Sequence, residues 1–122
     1  KLPFLYVRPK PKEHGLGNQI EGELAAGQKV LVIEDLVSTG KSCLQVCEAI
    51  QNGGAEVIGM VSIFSYGLPE AENAFEKAGI RFISLTNYAV LIELAIEQGT
   101  IASDQMETLL NWRKNPGAWQ GV

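Results

Sequence analysis

Residues 30–44 read Val-Leu-Val-Ile-Glu-Asp-Leu-Val-Ser-Thr-Gly-Lys-Ser-Cys-Leu and decide the fold. The apolar, mostly β-branched run Val30–Ile33 is typical of a strand that is buried on both faces of a parallel sheet. Two carboxylates, Glu34 and Asp35, follow where that strand is expected to end. A hydroxyl-rich loop then leads into a helical pattern that begins near Lys41. The acidic pair and the loop are therefore expected at the carboxyl edge of a sheet.

The loop Ser38–Ser42 predicts an anion site. Free backbone N–H groups, the positive end of the helix dipole and the side-chain hydroxyls can converge on one phosphate. Glu34 and Asp35 cannot bind that phosphate, but they can accept hydrogen bonds from a ribose diol directly or through a cation. The whole stretch therefore indicates a ribose phosphate ligand.

Two other interpretations of this stretch are open. Gly40-Lys41-Ser42 looks like the end of a nucleotide-binding P-loop, but the first glycine of that motif is replaced by Asp35, whose carboxylate would face the phosphates. In the second interpretation the acidic pair is only a solvated strand end, and Ser42 is an ordinary helix cap. The continuous order of strand, acidic pair, loop and helix favours the ribose phosphate site.

The segment Ile33–Ser42 resembles the phosphoribosyl pyrophosphate binding motif of the type I phosphoribosyltransferases. The resemblance implies that two acidic residues hold the ribose hydroxyls and that the following loop holds the ribose phosphate. The substrate-binding residues implied here are Glu34, Asp35, Leu36, Val37, Ser38, Thr39, Gly40, Lys41 and Ser42.

Composition limits the class of protein. The 122 residues, 46% of them hydrophobic, are enough for one core, so we expect a single domain over residues 1–122. A net charge of −4 argues against nucleic acid as a partner, and the sequence has no apolar run long enough to predict a membrane span. Cys43 and Cys47 lie four residues apart on one predicted helix, where core packing is expected rather than a disulfide or metal site. A cytoplasmic location is predicted, and no residue is assigned to bind metal.

A basic segment lies near the amino end of the chain. In Arg8-Pro9-Lys10-Pro11-Lys12-Glu13-His14-Gly15 every second residue from Arg8 is basic or histidine, which places these side chains on one edge of an extended backbone. The two prolines cannot donate to a sheet ladder. The segment is either a solvated loop or a lid whose cations meet a polyphosphate and stabilise a leaving group.

This segment is similar to the catalytic loop of orotate phosphoribosyltransferases. The resemblance implies that Arg8, Lys12 and His14 bind the pyrophosphate. Pro9 stands where the family usually has a lysine, and Lys10 is a candidate to take the place of that lysine. The resemblance also implies catalytic roles for Lys12, His14 and Asp35: Lys12 would stabilise charge, and His14 is a candidate proton donor to the leaving group.

The rest of the chain alternates between strand and helix patterns. Gly and Pro signals, with Thr86 or Asn87 and Ser103 as caps, bound these elements. The predicted strands are Leu2–Val7, Val30–Ile33, Glu56–Phe64 and Arg81–Leu85, and the predicted helices are Lys41–Asn52, Pro69–Ala78, Tyr88–Gln98 and Asp104–Lys114. This order predicts an α/β fold: a doubly wound, mainly parallel sheet with helices on both faces and ligands at the carboxyl ends of its strands.

The resemblance covers nearly the whole chain and implies the carboxyl-terminal core of an orotate phosphoribosyltransferase. An amino-terminal hood and the first core strand would be missing, so this chain alone is expected to be inactive. The implied substrates are phosphoribosyl pyrophosphate and orotate, with Mg²⁺ bound mainly through the substrate and a homodimer as the assembly. Tyr66 lies where some members place an orotate-contacting arginine; Tyr66 and Trp119 are interpreted as packing residues. The alternatives are a phosphoribosyltransferase for a purine or another base, and a module that binds phosphoribosyl pyrophosphate without turnover.

Overall fold

The computed structural model of the chain describes residues 2–9 and 19–119. Its strands are β1 (Tyr6–Val7), β2 (Ile20–Glu21), β3 (Lys29–Val37), β4 (Glu56–Ser65) and β5 (Phe82–Asn87). Its helices are α1 (Lys41–Asn52), α2 (Pro69–Ala78), α3 (Tyr88–Glu97) and α4 (Met106–Lys114), with single 3₁₀ turns at Ser103–Gln105 and Pro116–Ala118.

Strands β3, β4 and β5 form a parallel sheet in that order. Each connection between neighbouring strands runs through one helix, α1 or α2, as parallel pairing requires. The predicted α/β class and its parallel sheet are confirmed. The strands reach further than predicted: β3 continues to Val37, so Glu34 and Asp35 lie within the strand and not beyond its end. The two charged residues do not end the strand, because β4 continues to pair with β3 as far as Val37.

One face of this sheet carries the core. Val32, Met60 and Ser62 lie on that face with exposures of 6%, 1% and 1%, and the residues of α1 and α2 that face it, such as Cys47 and Phe75, are equally buried. Alternate residues of a strand point to opposite faces, so the apolar residues between them point away from these helices.

The second face of the sheet is open. Ile33, Ile63 and Ile83 on this face are 63%, 58% and 59% exposed. The prediction that Val30–Ile33 is buried on both faces is therefore wrong for this chain. A run of β-branched residues indicates a strand that can be buried on both faces. Whether it is buried depends on the helices or other layers that pack against each face.

The predicted strand Leu2–Val7 is shorter than expected. Only Tyr6 and Val7 pair, and they pair antiparallel with Ile20 and Glu21. Val7 still packs against the core from the side. In the described residues this small pair of strands does not join the main sheet.

Helices α3 and α4 follow the main sheet. Asn87 Oδ1 accepts a hydrogen bond from Val90 N at 3.1 Å, so the predicted cap of α3 is confirmed at Asn87. The last predicted helix begins with a 3₁₀ turn at Ser103, and α4 starts only at Met106. Ser103 provides no side-chain cap there, so its predicted capping role is wrong. No helix in the described ranges is both long and apolar enough to cross a membrane.

Candidate functional site

Glu34 and Asp35 occupy consecutive positions near the carboxyl end of β3 and so point to opposite faces of the sheet. Glu34 is half-buried toward the helix side, whereas Asp35 is exposed. Burial and the neighbouring charge of Asp35 raise the pKa of the Glu34 carboxyl above its ordinary value. Asp35 Oδ1 accepts from the backbone N–H of Leu36 at 2.7 Å, which leaves the other carboxylate oxygen available for a ligand.

The predicted phosphate loop leads directly from β3 into α1. Gly40 occupies the cap position of α1 with φ 80°, and no side chain caps the helix. Ser42 lies inside the first turn, so its interpretation as an ordinary helix cap is wrong. An uncapped first turn leaves backbone N–H groups free to bind an anion. A glycine fits here because φ is positive and because a Cβ would meet Phe75 Cζ at 3.3 Å.

The two cysteines of α1 are buried and free. Burial raises the pKa of both thiols, and that of Cys47 reaches about 11. Their predicted role in core packing is confirmed by exposures of 1% and 2%. The nearby charge of Glu34 also contributes to the raised pKa of each thiol.

The carboxyl ends of the three parallel strands are joined at the same edge. The N–H of Tyr66 donates to the carbonyl of Val37 at 3.0 Å, and Ser65 pairs in register with both Val37 and Asn87. The acidic pair lies near this edge as predicted, and Tyr66 and Asn87 lie at the same edge. The segment after β4 therefore lies directly beside the phosphate loop.

Tyr66 packs as predicted. Its ring contacts those of Phe64, Tyr88 and Trp112 at centroid distances of 5.3, 5.9 and 5.5 Å. The side chain of Trp119, also predicted to pack, is 43% exposed. The Tyr66 cluster anchors α3 and α4 against the end of β4, because Tyr88 belongs to α3 and Trp112 to α4.

Arg8 directly follows β1, which belongs to the small two-stranded sheet and not to the main sheet that carries the acidic pair. Its Nε donates to Glu21 Oε1 at 2.6 Å, and the two side chains also form an ion pair. The other members of the predicted basic lid, Lys10, Lys12 and His14, lie outside the described residues.

A cleft of about 400 Å³ opens at the carboxyl ends of β4 and β5. Polar and charged side chains contributed by both strands, α2 and α4 line it: Ser65, Ser84, Asn87, Glu72, Arg113 and Lys114. The two cations, Arg113 and Lys114, were not predicted as site residues because they lie far along the chain from the acidic pair. The only sign of them in the sequence is that the last turn of α4 is basic. A basic last turn is common in helices and does not by itself indicate a site.

Comparison with known proteins identifies the family. The family model described as "Phosphoribosyl transferase domain" matches residues 4–84. This chain belongs to that family. The matched range includes β1 to β4 and the first half of β5, and therefore both the acidic pair and the uncapped start of α1 that form the candidate site of this phosphoribosyl transferase domain.

Named relatives are similar over most of the domain. It is 57% identical over 115 residues to an orotate phosphoribosyltransferase of Bacillus subtilis (strain 168), a match that covers 94% of this chain and 53% of the relative. A second orotate phosphoribosyltransferase, from Cytophaga hutchinsonii, is 52% identical over 98% of this chain and 57% of its own length. The chain thus spans about half the length of the curated relatives it matches.

Solved structures agree with the fold. Leishmania donovani UMP synthase superposes with a TM-score of 0.73 at 27% identity, covering 97% of this chain and 24% of that one. A Mycobacterium tuberculosis orotate phosphoribosyltransferase in complex with 5-phospho-alpha-D-ribosyl 1-diphosphate superposes with a TM-score of 0.53 at 38% identity, covering 58% and 42% of the two chains.

The described residues offer a metal ion few ligands of their own. Within residues 2–9 and 19–119 no three His, Cys, Asp or Glu side chains are grouped so that they could hold a metal ion. Two adjacent carboxylates beside a phosphate loop do fit Mg²⁺, which binds through one or two carboxylates and the phosphates of a substrate and keeps several waters.

Proposed function

We propose that the protein carrying this chain is an orotate phosphoribosyltransferase. It would transfer the phosphoribosyl group of phosphoribosyl pyrophosphate to a ring nitrogen of orotate, forming orotidine monophosphate and pyrophosphate. The C1–O bond to pyrophosphate breaks, the C1–N bond forms, and the proton on the nitrogen is released. The names of two relatives at 52–57% identity support the reaction. The observation that supports this proposal most directly is the acidic pair on β3, a strand that leads through a tight glycine turn into an uncapped helix.

The sugar is expected to resemble an oxocarbenium ion in the transition state, as its leaving group departs. The roles of the site residues follow from this expectation. Such a reaction needs orientation and charge stabilisation more than a nucleophile. Glu34 and Asp35 orient the ribose through its hydroxyls. The N–H groups and hydroxyls of residues 38–42 hold the 5-phosphate, and the positive end of the α1 dipole favours its charge.

The departing pyrophosphate gains negative charge as the bond breaks. Arg8, Lys12 and His14 are assigned to it, with Lys12 stabilising charge and His14 donating a proton. Mg²⁺, when bound, neutralises part of the pyrophosphate charge, and Asp35 is the most accessible carboxylate of the acidic pair to hold it.

The assembly and location belong to the same proposal. A homodimer is proposed, and the exposed apolar face around Ile33 and Ile83 supports association with further protein. The two free, buried cysteines suit a reducing cytoplasm. The 122-residue chain alone is proposed to bind the sugar phosphate without turnover, because it spans about half the length of its relatives.

A binding titration tests the acidic pair. Asp35→Asn and Glu34→Gln should each weaken binding of phosphoribosyl pyrophosphate by about tenfold or more, since a hydrogen bond to a charged acceptor contributes roughly 1.5–3 kcal/mol. Glu56→Gln removes the same charge from an exposed position at the other end of the sheet and should leave the affinity unchanged. Unchanged affinity in both site variants would refute the assignment.

An activity assay of the protein expressed from its complete coding sequence tests the reaction. Orotidine monophosphate should form from orotate, phosphoribosyl pyrophosphate and Mg²⁺. Consumption of the sugar pyrophosphate only with a purine or another base would identify a different phosphoribosyltransferase. Tight binding with no product for any base would identify a binding module.

A further inference from the structure

The phosphate loop is fixed to the core at three buried positions. Val37, Gly40 and Cys43 are buried, whereas the residues between them, at positions 38, 39, 41 and 42, are exposed or half-buried. Val37 and Cys43 belong to the core cluster and contact it through their own side chains. Gly40 has no side chain, so its contact with the core depends on a side chain from another element.

Helix α2 provides that contact. A Cβ on Gly40 would stand 3.3 Å from Phe75 Cζ, 3.4 Å from Phe75 Cε2 and 3.6 Å from Ala71 Cα. The ring tip of Phe75 and the backbone of α2 therefore lie directly against the glycine turn. Ala71 allows this close approach because its side chain is a single methyl group.

Phe75 is itself held in a fixed position. Its side chain is 3% exposed, and its ring stacks on that of Phe82 with centroids 4.7 Å apart and planes inclined by 22°. Phe82 is the first residue of β5, so the ring of Phe75 packs between its own helix and the sheet. A closely packed interior leaves a side chain few other positions. Phe75 is therefore a rigid support for Gly40.

The position of Gly40 also sets the position of the first turn of α1. Gly40 is the cap residue of this helix, and its carbonyl accepts from the N–H of Leu44 at 3.0 Å. No side chain caps the helix, so the free N–H groups of the turn are oriented by the backbone alone. Hydrogen bonds weaken steeply as their geometry departs from the preferred one. A small shift of Gly40 would therefore weaken the binding of an anion at this turn.

We infer that Phe75 is a positioning residue for the sugar 5-phosphate: its ring tip fixes Gly40, and through Gly40 the anion-binding N–H groups of α1. This inference rests on the proposed function, which assigns the 5-phosphate to residues 38–42. A leucine at position 75 would keep a buried apolar side chain but would lack the Cε and Cζ atoms, which include the two ring atoms nearest to Gly40. The size of this side chain is thus tied to phosphate binding as well as to packing.

The test uses the protein expressed from its complete coding sequence, with ribose 5-phosphate and inorganic pyrophosphate as separate probes in calorimetric titrations. In Phe75→Leu the affinity for ribose 5-phosphate should fall by about fivefold, because the N–H groups are displaced but not removed. The affinity for pyrophosphate, which is assigned to other residues, should stay the same. In steady-state assays the KM for phosphoribosyl pyrophosphate should rise while the KM for orotate does not change.

Two further variants separate positioning from stability. Phe75→Met supplies a side chain that is long and flexible enough to reach Gly40, and it should recover part of the affinity for ribose 5-phosphate. Ile50→Val shortens another buried side chain of the same core cluster, in the last turn of α1, and should leave both affinities unchanged. Urea unfolding of each variant measures the loss of stability that accompanies the substitution.

The outcomes separate this inference from the proposed function. If Phe75→Leu binds ribose 5-phosphate as tightly as the unmodified protein, the inference is overturned and the proposed function stands. A loss that is equal for both probes, or that also occurs in Ile50→Val, would overturn it too, because the effect would then follow core stability. If Phe75→Met recovers no affinity, contact with Gly40 is not the cause and the inference is overturned. If the unmodified protein binds neither ribose 5-phosphate nor phosphoribosyl pyrophosphate, the proposed function fails, and the inference fails with it.

Discussion

Arg8 and Glu21 are joined across the two short strands β1 and β2. Arg8 Nε donates to Glu21 Oε1 at 2.6 Å, and the backbone N–H of Arg8 donates to the Gln19 carbonyl at 2.8 Å. Gln19 Nε2 returns a hydrogen bond to the Arg8 carbonyl at 2.9 Å. The arginine proposed to bind pyrophosphate is therefore held by a carboxylate, and an incoming polyphosphate must compete with Glu21 for it.

Glu21→Gln should strengthen binding of inorganic pyrophosphate. The pair is partly exposed, and such pairs contribute about 0.2–1 kcal/mol, so the affinity should rise by at most about fivefold. The gain should shrink at high salt because screening weakens the competing ion pair. Calorimetry at two salt concentrations measures both effects, with Glu23→Gln as a nearby exposed control. A lower affinity in Glu21→Gln would show that Glu21 orients Arg8 and does not compete for it.

Gly40→Ala should destabilise the fold more than Gly79→Ala. Both glycines have positive φ, 80° and 66°, so each substitution costs on the order of 1–2 kcal/mol of backbone strain. Only at Gly40 would the added Cβ also meet a ring, that of Phe75 at 3.3 Å, whereas nothing lies within 4 Å at Gly79. Urea unfolding of the two variants measures the difference. Equal losses of stability would mean that the Phe75 ring moves aside without cost.

Glu34→Gln should stabilise the folded chain near pH 7. Burial and the charge of Asp35 raise the pKa of Glu34 in the folded state, so folding favours its protonated form. The folded chain then binds more protons than the unfolded chain, and stability falls as pH rises from the ordinary value of 4.5 through the raised pKa. The gain from Glu34→Gln should therefore be present above the raised pKa and absent below pH 4.5.

Urea midpoints of Glu34→Gln and the unmodified chain at several pH values measure this dependence. Glu56→Gln, at an exposed position, is the control. A stabilisation of the same size at all pH values would exclude a titration of Glu34 as its cause.

Cys43 and Cys47 should resist alkylation in the folded chain. The thiolate is the reactive form, and a pKa of about 11 leaves Cys47 almost entirely protonated at pH 8. The side chains are also inaccessible, with exposures of 1% and 2%. Mass spectrometry after iodoacetamide treatment should show no modification until urea is added. Rapid labelling without urea would reveal that α1 opens frequently.

The open face of the sheet should make the 122-residue chain self-associate. Ile33, Val61 and Ile83 lie side by side across the three strands in register, and the two isoleucines are more than half exposed. Contiguous exposed apolar surface of this kind favours association. Ile83→Lys should reduce the apparent mass seen by analytical ultracentrifugation over a concentration series. Thr100→Lys, an exposed polar position in the turn after α3, should not. A monomer at every concentration in the unmodified chain would contradict the expectation.

The sequence by itself determined the order of the elements and the local form of the phosphate site. The run after Val30, the turn at Gly40 and the start of α1 at Lys41 depend on preferences that act over a few neighbouring residues, so they could be predicted closely. From the same local preferences, the predicted end of β3 came too early and Ser42 was a possible helix cap. A strand continues as long as its neighbour pairs with it, and the residues of β4 supply that pairing to Val37.

Only the tertiary structure decided which side chains share an environment. Glu34 and Asp35 are equivalent in sequence, but the packing of α1 on one face buries the first and leaves the second exposed. The sequence could not place Arg113 beside Gly67 or pair Arg8 with Glu21, because the path of the intervening chain sets those distances. The sequence also could not show that one face of an apolar sheet stays exposed. The residue pattern of a strand indicates that the strand can be buried, but its actual burial depends on which other layers pack against it.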